Sequence, residues 1–160
     1  KQPRLVFRVC LWTRLTRKYR HTVKGDKFYA VIDTNVIVSA VISKHLDSNP
    51  VKVFRAITED RIVPLFNNEI LAEYREVLSR PKFHIEQGLI NTVLQMFELG
   101  GLNLDRTAAA GEFFPDPKDI VFYEVALTKD DSFLVTGNIK HFPSKPFVIT
   151  PAEMVSLLEK

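Results

Sequence analysis

"FYAVIDTNVIVSAVIS", residues Phe28 to Ser43, decides how the rest of the chain is read. Phe28 to Ile32 is short, apolar and rich in aromatic and β-branched side chains, as a central parallel strand is. Val36 to Ile42 reads as a short helix. Between the two stand Asp33, Thr34 and Asn35. Burying an ionised Asp without a partner is so costly that the group would neutralise or the site would be wet. In open α/β sheets, ligands bind outside the carboxyl ends of the strands. Asp33 is therefore either an ordinary turn residue or the first member of a site.

The pattern beyond it alternates helix and strand. Pro50 suits the first turn of a helix over Val51 to Glu59. "RIVPLF" (61–66) reads as a strand, and Pro64 predicts that it is not a fully paired central one. Asn67 or Asn68 caps a helix running to about Ser79. A further helix over Ile85 to Leu99 is closed by Gly100 and Gly101. "GLNLDRT" is a weak strand, and "FFPDPKD" (113–119) is a loop entering a helix to about Thr128. "SFLVT" (132–136) and "PFVIT" (146–150) are strands, and Pro151 opens a last helix through Leu158. Strands alternating with helices predict a three-layer α/β/α sandwich around a mostly parallel central sheet.

Composition narrows the class. The 160 residues are 46% hydrophobic and 26% charged, as in soluble globular proteins. No apolar run approaches the 18 residues of a membrane span, so no membrane partner is expected. The single Cys10 excludes an internal disulfide and a cysteine-rich zinc site, and it fits a reducing cytoplasm. Charge is unevenly spread. Residues 1–27 hold nine Lys or Arg against one acid, a balance of +8, whereas residues 28–160 hold 13 bases and 18 acids, a balance of −5. The chain thus divides into a basic N-terminal arm, 1–27, and an acidic domain, 28–160. The arm does not read as a secretory signal, because Arg8 breaks its apolar stretch and no small-residue cleavage site follows. It reads as an extension docked on the domain or a second copy, as a segment foreign to the domain, or as a nucleic-acid contact. In the last case Arg14, Arg17 and Lys18, interleaved with Trp12 and Tyr19, would meet phosphates and bases.

Helical phase locates two more acids. In "NEILAEYREVL", Ile70, Leu71, Tyr74, Val77 and Leu78 share an arc about 120° wide, and Glu73 lies at its edge. In "DPKDIVFYEVAL", Phe122, Tyr123, Ala126 and Leu127 form the apolar face, and Asp119 precedes them in the middle of it. Asp116 as N-cap and Pro117 as first helical residue give a good start. Each acid has a bland reading: Glu73 as a solvated helix edge, Asp119 as part of a capping box or a partner of the macrodipole. Yet all three can converge on one crevice at the carboxyl edge of the sheet. Two carboxylates about 4 Å apart repel by roughly 4 kcal/mol at an effective dielectric of about 20, so a cluster of three asks for a cation. With oxygen donors only, Mg²⁺ or Mn²⁺ is expected rather than zinc. His21, His45, His84 and His141 show no metal-ligand spacing and read as surface or structural histidines.

In this order, "VIDTNVIVSAVI", "NEILAEYREVL" and "DPKDIVFYEVALTKDDSFLVTGNIKHF" resemble the motifs of the PIN-domain (PilT N-terminus) family, in its bacterial toxin-like branch. The resemblance covers about Phe28 to Glu159. It implies a Mg²⁺- or Mn²⁺-dependent endoribonuclease leaving 3′-hydroxyl and 5′-phosphate ends, with Asp33, Glu73 and Asp119 holding the metal. Thr34, Asn35 and Thr136 would orient the acids or the attacking water. Many relatives carry a further acid after the "VTG" strand end, where this chain has Asn138, and often another where it has His141. Asn138 can still coordinate through its amide, and Asp116 is a substitute acid. The resemblance further implies RNA as substrate, a cognate antitoxin that plugs the crevice, and a homodimer. Lys118, Lys129 and Lys140 are placed near the crevice as helpers in binding phosphate, or as ordinary surface lysines.

Two other readings stay open. One is a PIN-like scaffold that binds RNA or a protein without cutting, because Asn138 is uncharged. The other is an acid-cluster phosphotransfer domain. Such a phosphatase would want a second acid two residues after the first, and Asn35 stands there. No glycine-rich phosphate loop and no nucleophile elbow points to nucleotide or serine-hydrolase chemistry.

Overall fold

The computed structural model describes residues 26–109 and 111–160. Arg14, Arg17 and Lys18, and with them nearly all of the basic arm, lie outside the described residues. The chain runs β1 (Phe28–Ile32), α1 (Thr34–Ile42), α2 (Asn49–Thr58), β2 (Ile62–Phe66), α3 (Asn68–Leu78), α4 (Gln87–Gly100), β3 (Leu102–Asn103), α5 (Ile120–Leu127), β4 (Ser132–Val135), β5 (Val148–Ile149) and α6 (Pro151–Leu158). Short 3₁₀ turns occupy Pro81–Phe83, Pro117–Asp119 and Ile139–His141. The five strands are all parallel, in the order β3-β2-β1-β4-β5, and the helices cover the sheet as the outer layers of an α/β/α sandwich. β1 is central and its Ala30, Val31 and Ile32 are fully buried, as its unbroken apolar run requires.

The order reverses at β1: β2 and β3 lie on one side of it, β4 and β5 on the other. The crevice of a doubly wound sheet opens at such a switch point, outside the carboxyl ends of the two diverging strands. Here those ends are Ile32 and Val135, which are register partners. Asp33 and Thr136 are the next residues of each chain segment.

Local chemistry explains the helix starts around this edge. The Asn67 side chain caps α3 by accepting the Ile70 N–H at 2.9 Å. Thr150 and Glu153 form a reciprocal capping box at the start of α6, with Pro151 in its first turn. The Tyr74 hydroxyl, fully buried on α3, donates to the Ile32 carbonyl and ties α3 to the end of β1.

Pro64 lies in a strand that has neighbours on both sides but is not fully paired, as the proline predicts. The proline is tolerated because β3 is only two residues long and pairs Leu65 and Phe66, beyond it. One sequence expectation needs correction, and it concerns α5. Beyond the expected face of Phe122, Tyr123, Ala126 and Leu127, both Val121 and Val125 are also buried. One side of α5 rests on β1, β2 and β4, and the segment returning from β3 covers another. There the Phe114 ring meets Tyr123 edge-on at 5.3 Å, and the Thr107 N–H donates to the Glu124 carbonyl. The helix expected from Pro117 also divides, into a 3₁₀ turn ending at Asp119 followed by α5.

Candidate active site

Asp33 occupies the N-cap position of α1, yet its side chain makes no capping bond to that helix. The carboxylate points instead across the switch point. Its Oδ2 accepts the Thr136 hydroxyl at 2.7 Å and the Asn35 amide at 3.0 Å. Asp33 is only 6% exposed and Thr136 is fully buried. The role of ordinary turn Asp is therefore not the one it plays. Asn35 in turn accepts the Gly137 N–H at 3.2 Å through Oδ1, so its amide joins both strand ends.

Glu73 is half-buried on α3, as its position at the edge of the apolar arc predicts, and its Oε1 accepts the Thr34 hydroxyl at 3.0 Å. Asp119 ends the turn that precedes α5. It too makes no capping bond, and its Oδ2 lies 3.1 Å from His141 Nδ1. The capping is done by Asp116, which accepts the Lys118 N–H at 2.9 Å. Each of the three acids thus stands beside a helix end or edge without serving it, and each has one oxygen held by a neighbouring polar group.

The electrostatics join them into one unit. Burial, above all, pushes Asp33 up to about 6, and the charge of Asp119 adds to the shift, while the bond from Thr136 opposes it. Glu73 is raised by burial first and by Asp33 in addition, with Thr34 and Lys118 pulling the other way. Asp119 is raised by burial, then by Asp116 and Glu73, and is lowered by His141. Each of the three is thus raised first by burial and also by the charge of one of the others, a field in which a nearby cation would be favourable. Among the described residues, no three His, Cys, Asp or Glu side chains already converge as a cage for an ion. The donor chemistry nevertheless fits a hard divalent cation, because the set is rich in carboxylate oxygen.

Asn138 is exposed at the mouth of the crevice, and its N–H donates to Thr136 Oγ1 at 2.9 Å. Lys140 is exposed in the turn Ile139–His141, and the charge of Lys118 reaches Glu73. Lys129 is not at the crevice. Its ammonium lies 4.0 Å above the Tyr29 ring, beyond the far end of α5, at the opposite edge of the sheet. His141 is the site neighbour that spacing alone did not assign to chemistry. Its contact with Asp119 links residues 22 apart through tertiary structure. The sequence signal was its place six residues after the β4 end, where related chains often carry an acid.

An all-parallel doubly wound sheet with acids at its switch point defines the class: an α/β sandwich with a crevice at the carboxyl edge of its sheet. A family model described as PIN domain matches residues 29–140, and the chain belongs to the PIN-domain family. PIN domains are generally nucleases that hydrolyse nucleic acids, typically with divalent metal ions. No curated protein and no solved structure matches the chain. Among the described residues, no helix is long and apolar enough to cross a membrane.

Proposed function

We propose that the protein is a Mg²⁺- or Mn²⁺-dependent endoribonuclease, with Asp33, Glu73 and Asp119 as the metal-holding acids. The observation that carries this reading is geometric: Asp33 at the end of β1 and Asp119 before α5 make no capping bond and turn to Thr136, Asn35 and His141 instead, while Glu73 on α3 is held by Thr34 of the same edge. When bound, the divalent cation supplies a water of lowered pKa and offsets charge on the scissile phosphate.

The chain's own residues set the stage for that step. Thr136 and Asn35 fix Asp33 Oδ2, and Thr34 fixes Glu73 Oε1, so the acids do not reorganise during reaction. The Asn138 amide and Asp116 stand close enough in sequence to these groups to supply further oxygen. Lys118 and Lys140 offset the acidic field for an approaching phosphate, and Arg14, Arg17 and Lys18 of the arm add phosphate contacts. We assign the protein to the cytoplasm, as the toxin of a toxin–antitoxin pair acting as a homodimer, its crevice plugged by the cognate antitoxin. The motif order at 28–141 supports that branch.

The test is cleavage of a mixed RNA substrate with Mg²⁺, Mn²⁺ or chelator, comparing wild type with Asp33→Asn. Metal-dependent cuts with 5′-phosphate ends, lost in the variant, are expected. Equal inertness of both proteins with Mn²⁺ would sink the nuclease reading and leave a scaffold that binds without cutting.

A further inference from the structure

The three acids ride on three elements: Asp33 follows β1, Glu73 stands on α3, and Asp119 ends the turn before α5. One buried side chain touches all three elements. Tyr74, next to Glu73 on α3, is fully buried, and its hydroxyl donates to the carbonyl of Ile32, the residue before Asp33. Its ring meets that of Phe122, three residues after Asp119, at 6.2 Å between centroids, and that of Phe97 on α4 edge-on at 5.1 Å. The sheet itself leaves this carbonyl to the tyrosine. The Phe28 N–H donates toward β2 and the Asp33 N–H toward β4, so alternation along β1 turns the Ile32 carbonyl to the β2 side. There the register runs no further than Ala30 opposite Pro64, whereas on the β4 side it reaches Ile32. A buried carbonyl beyond the end of its ladder needs a donor, and the Tyr74 hydroxyl supplies it. The gap between β1 and α3 is bridged a second time by the bond from the Thr34 hydroxyl to Glu73.

We propose that Tyr74 is the positioning residue of this crevice: it fixes β1, α3 and α5 against one another and so sets the spacing of Asp33, Glu73 and Asp119. The inference rests on the reading of those acids as the working groups of a ribonuclease. Tyr74 is closed off from solvent, so it meets no substrate. It acts through the backbone before Asp33, through the turn of α3 that carries Glu73, and through Phe122 on the first turn of α5. Groups held this way keep their geometry during reaction, and small misplacements of them are costly.

Tyr74→Phe removes the hydroxyl and keeps the ring. Val53→Ala, fully buried on α2, which packs on α1, β2 and α6, is the control for lost stability alone. In RNA cleavage with Mn²⁺, well below the melting temperature of each protein, Tyr74→Phe is expected to lower kcat roughly tenfold or more, with KM within about twofold of wild type. Val53→Ala should keep both. In chelator and without RNA, the ¹³C carboxyl resonances of Asp33 and Glu73 should move in Tyr74→Phe and stay in Val53→Ala. Phe122→Leu keeps the hydroxyl and loosens the ring contact on the Asp119 side. It should also lower kcat, and it decides the matter if Tyr74→Phe does not fold. Against an active wild type, a kcat unchanged in Tyr74→Phe, or in Phe122→Leu where that variant decides, overturns the inference and leaves the ribonuclease standing. So does a kcat lost equally in Val53→Ala. A wild type inert with Mn²⁺ overturns the ribonuclease reading, and the inference with it.

Discussion

The Thr136 hydroxyl donates to Asp33 Oδ2 across 2.7 Å, joining residues 103 positions apart at the two diverging strand ends of the sheet. Both side chains are buried, and the bond is the largest of the effects that hold the Asp33 carboxyl down against its burial. Thr136→Val keeps the shape and removes the donor. The expected outcome is a loss of about 1–2 kcal/mol in stability at neutral pH, from a buried charge left short of one partner. The Asp33 carboxyl resonance should also titrate at higher pH than in wild type. An unchanged titration midpoint would show that the bond does not act on the carboxylate.

Asp33 is held at about 6 in the folded protein, against 3.8 when unperturbed. A carboxyl with a raised folded pKa binds more protons in the native state than in the unfolded one. Its cost is therefore absent below about pH 3.8, grows as pH rises toward 6, and is fully present above. In chelator, Asp33→Asn should be more stable than wild type at pH 7.5, by roughly 1–3 kcal/mol after allowing for an amide that matches its donor neighbours poorly. At pH 4 the advantage should vanish. Mg²⁺ or Mn²⁺ should raise the melting temperature of wild type and not of the variant, as linkage requires. Urea melts at the two pH values read the sign directly.

Gly101 follows α4 in an extended conformation that any residue can adopt, so its requirement is one of space. An added Cβ would sit 2.4 Å from the Pro64 carbonyl oxygen and 2.7 Å from that of Phe97, both backbone atoms. Gly101→Ala should therefore push β3 away from β2 at a cost on the order of 2–3 kcal/mol. Amide exchange at Leu104, whose N–H donates to the Phe66 carbonyl, should accelerate in step. A variant as stable as wild type would mean that β3 docks without this close approach.

What could be read before the fold was known follows the same physics. The apolar run of β1, the asparagine cap of α3 and the proline starts of α2 and α6 are local signals, and they locate these elements to within about two residues. Pro64 made the incomplete pairing of β2 legible, but not how short the neighbouring strand β3 is. The all-round burial of α5 depends on Phe114 and Thr107 returning over it. For Asp33 and Asp119, local sequence offered a turn role and a cap role. The conflict is resolved only where the chain folds Thr136 against one and His141 against the other. Lys129 was misplaced because nearness in sequence to the third motif does not distinguish the two ends of α5.

Asn35 stands where an acid-cluster phosphatase would carry its second carboxylate, and the structure makes the exchange informative. Its Nδ2 donates to Asp33 Oδ2 at 3.0 Å while its Oδ1 accepts from Gly137. Asn35→Asp preserves the shape and the bond from Gly137, and replaces a donor with an oxygen facing the Asp33 carboxylate. Two carboxylates this close repel by several kcal/mol if both are ionised, so one takes up a proton instead and the pair titrates well above an ordinary acid. The variant should lose about 1–3 kcal/mol at pH 8 and recover most of it by pH 5, where the shared proton is bound. A divalent cation should restore stability at pH 8 more than it does for wild type. Melting curves at pH 5 and pH 8, with chelator and with Mn²⁺, separate these effects. A deficit equal at both pH values and indifferent to the cation would mean that Asn35 is only a packing residue.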